Sequence, residues 1–210
     1  MRHIPLAGAI QGIGAWAMSV WLPAYFMRIY GMSSGEVGTW MALIYGIGGG
    51  MGALCGGYLA DRLVRKTGDQ RWYMWGSGLT ILVFVPFSFF IFLSSTATQS
   101  LLLLIIPIIS MHMYLGPVVA MMQGLAGLRR RAVAAAFYLF LTNLISMGVG
   151  PVLVGMISDY FGRQYGSASL RYALLSIVVV TFPWAAAHFF AAARTLREDL
   201  AYAQNDRGQL

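Results

Sequence analysis

Six apolar runs, each long enough to cross a lipid bilayer as a helix, constrain this chain more than any other feature. They cover residues 4–27, 37–60, 72–93, 101–128, 133–158 and 172–193. A hydrocarbon layer about 30 Å thick is spanned by roughly 20 apolar residues, and each run meets that length. Composition closes off the alternative of a water-soluble globule. Of 210 residues, 59% are hydrophobic and only 10% charged, where a soluble domain carries roughly a quarter charged residues. The first run is longer than a signal-peptide core and lacks a well-placed small-residue cleavage site, so it reads as a span. The single cysteine, Cys55, lies inside the second run and reads as small packing filler.

Charge sets the orientation. The formal net charge of +7 would suggest a nucleic-acid partner in a soluble chain, but its distribution follows the membrane rule that basic residues stay in the cytoplasm. With the N-terminus inside, the inner segments hold Arg2; Arg62, Arg65, Lys66 and Arg71; Arg129, Arg130 and Arg131; and Arg194, Arg197 and Arg207. The outer segments hold Arg28, Arg163 and Arg171. Eleven against three places both termini in the cytoplasm. Trp72 and Trp75 at one interface, and Trp21 and Trp40 near the other, sit where indole prefers to be. The expected organisation is an all-α membrane domain over 1–193, with one three-helix unit at 4–93 and a second at 101–193, then a polar cytoplasmic tail at 194–210.

The ends of the runs carry their own signals. Ser33 and Glu36 form a capping box that satisfies open N–H groups at the start of span two. Inside that span, the pairs Gly46/Gly50, Gly48/Gly52 and Gly52/Gly56 have the four-residue spacing that lets membrane helices approach closely. A phosphate-cradling loop is the competing reading of these glycines, but no G-x-G-x-x-G frame fits and no strand precedes them.

Asp61 sits where the apolar run of span two stops. A helix C-terminus disfavours an anion, so this carboxylate calls for cationic or N–H partners, and Arg62 and Arg65 are near in sequence. The basic residues alone are accounted for by topology; the aspartate is not. The order glycine, three residues, aspartate recurs as Gly155 and Asp159, followed by Arg163, at the end of the second span of the second triplet. Gly57/Gly155 and Asp61/Asp159 are both 98 positions apart. Because three is odd, consecutive triplets enter the membrane from opposite sides, and inverted repeats of this kind are a transporter architecture.

At these residues the chain resembles the major facilitator superfamily, whose loop signature runs glycine, three residues, aspartate, Arg/Lys, any residue, glycine, then two basic residues. Gly57, Asp61, Arg62, Arg65 and Lys66 match, and Val64 replaces the second glycine. The segments "GGYLADRL", "RWYMW", "LFLTNLISMGVGP" and "SASLRYALL" are most similar to the bacterial Spinster-like branch, in its C-terminal half. The resemblance implies half of a twelve-helix fold in a bacterial cytoplasmic membrane. It implies a secondary transporter working by alternating access on a small or amphipathic solute such as a lysolipid. It also implies a gate loop around Asp61 that latches against the other half, and as partner either an N-terminal six-helix half or a second copy. No cofactor or metal is implied.

Cavity candidates come from helical-wheel stripes. In span four, His112, Gly116, Gln123 and Gly127 fall within roughly 60°. Span five offers Ala136, Asn143 and Gly150, with Thr142 and Ser146 beside them, and span one offers Gly8, Gln11, Ala15 and Ser19. Polar residues inside a membrane are functional candidates, and Gln11, Gln123 and Asn143 read equally as hydrogen-bonding glue between helices. His112 reads either as a proton carrier or as a neutral ring bonded to a backbone carbonyl. Asp and Glu residues all fall at span ends, in loops or in the tail, so no carboxylate is expected at mid-membrane. An enzyme reading rests on Gly31–Gly35, a literal G-x-S-x-G, but it joins two membrane helices rather than a strand to a helix, and no histidine lies on that side. No zinc-ligand spacing occurs. A structural or regulatory membrane subunit without transport of its own remains the other class.

Overall fold

The computed structural model describes residues 2–126 and 130–205, and among them all regular structure is helical. Arg129, Arg207 and the stripe residue Gly127 lie outside the described residues. The elements are α1 (His3–Tyr30), α2 (Ser34–Met41), a π-helical segment (Ala42–Gly48), α3 (Gly49–Thr67), α4 (Trp72–Leu82), α5 (Phe84–Leu93), α6 (Ala97–His112), α7 (Leu115–Ala126), α8 (Arg131–Tyr165), a single 3-10 turn (Gly166–Ala168) and α9 (Ser169–Asn205). Among the described residues, five helical stretches are long and apolar enough to cross a membrane: His3–Tyr30, Ser34–Thr67, Trp72–Leu93, Ala97–Ala126 and Arg131–Tyr202. The last, 72 residues long, contains both of the final two expected spans. Its chain reverses at Gly166, whose φ of 55° and ψ of −127° suit only glycine. Beyond the turn α9 returns along α8, with the Ser158 and Ser169 hydroxyls 3.1 Å apart and the Tyr165 and Tyr172 rings 4.4 Å apart.

Breaks within the stretches follow from proline. Pro86 has no N–H for the Leu82 carbonyl and Pro117 none for that of Met113; α4 gives way to α5 at Val83, and α6 to α7 at Met113 and Tyr114. The capping box holds as expected: the Ser33 hydroxyl accepts from the Glu36 N–H, and the Glu36 carboxylate accepts the Ser33 N–H at 2.9 Å.

Several boundaries differ from the sequence expectation: α8 runs on to Tyr165, so Gly155, Asp159 and Arg163 lie on a helix rather than in a loop, and two further cases bear on the charged face. The second span does not end at Ala60: α3 continues to Thr67 and stops at Gly68, which is left-handed with φ of 71°. Asp61, Arg62, Arg65 and Lys66 therefore lie on the last two turns of a helix, and only residues 68–71 form the connection. Opposite charges four apart, as at Asp61 and Arg65, favour helix, and once the chain is in water nothing forces it to end where the apolar run ends. Likewise α9 does not stop at residue 193. Leu196 is fully buried and the helix runs to Asn205, so residues 194–205 continue the last helix.

α1 and α9 form the spine of the bundle: α1 packs along α8 and α9, and α9 also covers α4 and α5. The buried side chains fall into two clusters toward opposite ends of these helices. One gathers Leu22, Tyr25 and Phe26 with Phe84, Phe92 and Phe182; the other gathers Ile4 and Ala7 with Met74, Val118, Phe189 and Leu196. Lipid chains are as apolar as leucine, so close packing rather than escape from water holds such helices together. α3 meets α6 this way. A β-carbon at Gly52 would meet the Ile109 carbonyl and one at Gly56 the backbone of Met113, whereas Gly46 and Gly50 have open space beside them. The Gly52/Gly56 pair is thus a packing seam, and the Gly46/Gly50 pair is not.

Candidate functional site

Small and polar residues of α1 and α8 face each other across a cavity of about 340 Å³. From α1 come Gly8, Gln11, Ala15 and Ser19, the whole stripe expected of span one, together with Gly12 and Trp16. α8 contributes Tyr138, Leu139, Thr142, Asn143 and Ser146, the π-helical segment contributes Tyr45, and the α6–α7 break contributes Met111, His112, Tyr114 and Leu115. None of the lining residues is an Asp, Glu, Lys or Arg.

Several of the polar groups on these walls already have partners. Asn143 ties α8 to α1 by accepting the Trp16 indole N–H at 3.1 Å, and its amide donates to the Leu139 carbonyl at 2.7 Å. Ser146 donates across the same interface to the Ala9 carbonyl at 2.9 Å, and Thr142 donates to the Tyr138 carbonyl within its own helix at 2.8 Å. His112 Nδ1 lies 2.8 Å from the Ile108 carbonyl. A carbonyl only accepts, so Nδ1 carries the proton and Nε2 is left for another partner. Gln11 differs from all of these. It is 1% exposed, and neither its amide oxygen nor its nitrogen has a hydrogen-bond partner in the protein.

Several expected residues lie elsewhere. Gln123, half-buried on α7, does not line the cavity, and Gly116 lies near Ala53 and Gly57 of α3. The span-four stripe assumed one continuous helix; the break at Met113 and Tyr114 resets the rotation between His112 and everything after it. Gly150 is a contact point of α8 with Ile13 and Ala17 of α1 rather than a cavity residue. Tyr45 and Tyr138 were not anticipated. Tyr138 precedes Thr142 and Ser146 at four-residue steps, a signal the sequence contained, whereas Tyr45 depends on the π-helical segment.

On the charged face, Asp61 takes its hydrogen bond from the Tyr73 hydroxyl at 2.8 Å, not from Arg62 or Arg65. Arg62, Arg65 and Lys66 are exposed, and Gly57 has open space beside it. Asp159 and Arg163 are exposed near the end of α8, while Gly155 packs against Trp21. Asp69 is a carboxylate that does gather cations. Its side chain is 12% exposed, with Arg71 and Arg197 each at 2.8 Å, and the Arg71 guanidinium also lies 4.5 Å from the Trp75 ring centroid. The hydrogen-bonded Arg71 guanidinium, aided by Arg197, holds the Asp69 carboxyl well below the usual carboxylate range. The literal G-x-S-x-G match is a turn between helices, with Gly31 left-handed at φ of 68° and Ser33 serving as the cap of α2.

A family model of the Major Facilitator Superfamily matches residues 4–209. The chain is 34% identical over 198 residues to an MFS-type efflux pump of Mycolicibacterium smegmatis, a match covering 94% of this chain and 46% of the pump. The fold matches the crystal structure of a bacterial homologue of the human lysosomal transporter Spinster in an inward-facing, unoccupied conformation, with a TM-score of 0.81 at 23% identity, covering 94% of this chain and 48% of that one. The inward-facing, occupied form gives a TM-score of 0.79 at 23% identity, with coverage of 94% and 49%. The chain spans about half the length of the relatives it matches.

Proposed function

Since the chain belongs to the Major Facilitator Superfamily, we propose that it is one six-helix half of a secondary transporter, the C-terminal one, in which two inverted three-helix units carry half of a solute cavity. The observation that carries this reading is the cavity itself: polar stripes of α1 and α8, with Tyr45 and His112, converge on one space in a chain half as long as its relatives. A rocking cycle needs a second wall. That wall comes from an N-terminal six-helix half or from a second copy, and the solute is small or amphipathic, a lysolipid being the leading candidate. The protein is an integral membrane protein with both termini in the cytoplasm. Gly57, Asp61, Arg62, Arg65 and Lys66 form the gate that meets the other half on the inner face, with Gly155, Asp159 and Arg163 as its counterpart outside.

The test is the purified chain in liposomes, assayed for gradient-driven lysolipid flux and for cross-linking between copies through Asn143→Cys in a Cys55→Ala background. The expected result is no coupled flux from the chain alone, with flux appearing when a complementary half is present. Coupled flux from the single chain, accompanied by cross-linked copies and abolished by His112→Ala, would replace the half-transporter with a homodimer.

A further inference from the structure

The uncharged wall of the cavity contains one polar side chain whose position its own packing does not explain. Gln11 is buried to within 1% and its amide makes no bond to the protein. A buried amide without a partner costs folding free energy, and such a group in a folded protein calls for a reason. Packing does not supply one, because a leucine at this helical position would fill similar volume without the penalty. Two further groups line the same cavity. The Tyr45 hydroxyl is buried and unpartnered, and His112 has committed Nδ1 to the Ile108 carbonyl. The Tyr45 and His112 rings meet edge to face with centroids 6.1 Å apart, and both line the cavity with Gln11.

Building on the reading of this cavity as a solute path, we infer that Gln11, Tyr45 and His112 form a subsite for an uncharged hydrogen-bonding group of the solute, a hydroxyl or a diol, rather than for an ionic headgroup. Together the three side chains offer the amide's two N–H donors and its carbonyl acceptor, a phenol that can do either, and an imidazole nitrogen left for the ligand. A hydroxyl both donates and accepts, and so matches this set. A phosphate or a quaternary ammonium does not: a buried phosphate calls for a cation and no Lys or Arg lines this cavity, while a quaternary ammonium has no hydrogen bond to give or take and would leave these groups unpaired. In a lysolipid, the part held here would be the glycerol hydroxyl; any phosphate would have to be met by the opposite wall. The π-helical segment contributes by widening the turn at Tyr45, a distortion that recurs at functional sites.

The experiment uses the full chain in lipid nanodiscs, with titration calorimetry against empty nanodiscs as the partition blank. The probes are three amphiphiles of equal chain length: monohexanoylglycerol, hexyl phosphate and hexyltrimethylammonium. Monohexanoylglycerol should bind saturably and more tightly than either ion, and Gln11→Leu and Tyr45→Phe should each weaken it about tenfold, the effect of losing hydrogen bonds in a buried site. Gln11→Leu should at the same time keep or raise the melting temperature, which a merely structural glutamine would not do. Equal or tighter binding of an ion, saturable binding by none of the three, binding unaffected by both variants, or a lowered melting temperature for Gln11→Leu would each overturn the assignment. Binding does not require transport: an assembled transporter that fails to move lysolipid while this chain still binds the diol would count against the proposed function and leave the subsite standing.

Discussion

A β-carbon at Gly56 would run into the Met113 backbone, whereas at Gly57 nothing lies within 4 Å of the same position. Adjacent glycines in one motif therefore answer to different constraints. Gly56→Val forces α3 away from the α6–α7 break, where backbone rather than a pliable side chain stands in the way; such overpacking costs about 1–3 kcal/mol, and the melting temperature in nanodiscs should fall. Gly57→Ala should be neutral or slightly stabilising, since alanine is favoured over glycine in a helix by up to about 1 kcal/mol. If Gly57→Ala nevertheless impairs transport in an assembled transporter, the cause lies in a surface met only by the other half. Asp61 was legible as an anion needing a partner, but its partner was not. The sequence points to the adjacent arginines, while the folded chain brings up Tyr73 from the next helix, twelve positions on, a pairing fixed by the tertiary crossing of α3 and α4. We predict that Asp61→Asn leaves membrane insertion and abundance near normal and slows exchange between inward- and outward-open states, as read by inter-half distance measurements; unchanged exchange would reduce the residue to a local helix contact.

Among the elements, the short connection at 68–71 is held by charge. Asp69 joins Arg71 of its own connection to Arg197 near the end of α9, so this turn is tied to the last helix. Its carboxyl titrates below its unfolded value; the stabilisation is therefore complete above the ordinary carboxylate pKa and is lost only as pH falls through the lowered folded value. The melting-temperature difference between the native chain and Asp69→Asn should accordingly be the same at pH 8 and at pH 5. A native chain that gains markedly on the variant as pH falls across that window would show the folded carboxyl to titrate above its ordinary range, opposite to the direction its arginine partners impose. The existence of the apolar helices was legible from run length, because the bilayer fixes how long they must be. Their interruptions were not. Proline occurs inside α1, α6, α8 and α9 without ending them, whereas Pro86 and Pro117 lie just after breaks. Which outcome follows depends on whether neighbouring helices accommodate the carbonyl that proline leaves without its donor, and a single sequence does not record its neighbours. The same reason hid the π-helical segment, and with it Tyr45. The span-one stripe was fully legible because α1 is continuous through it.

For the molecule as a whole, orientation is the property on which gate and cavity assignments both depend. In a Cys55→Ala background, cysteines at Ser34 and Thr96 should react with an impermeant thiol reagent added outside intact cells, and one at Thr67 should not; labelling at Thr67 alone would invert the assignment. The cavity wall also bears on energetics at this scale. Moving an elementary charge through a membrane potential is worth about 2.3 kcal/mol per 100 mV, and a wall without a fixed charge takes no share of that work. If this half swings about a solute as proposed, the electric field across the membrane neither drives nor resists the movement of an uncharged cavity lining. Under the proposed cycle, a dependence of transport on voltage would come from the opposite wall, from charge carried by the solute or a travelling ion, or from a proton taken up at His112.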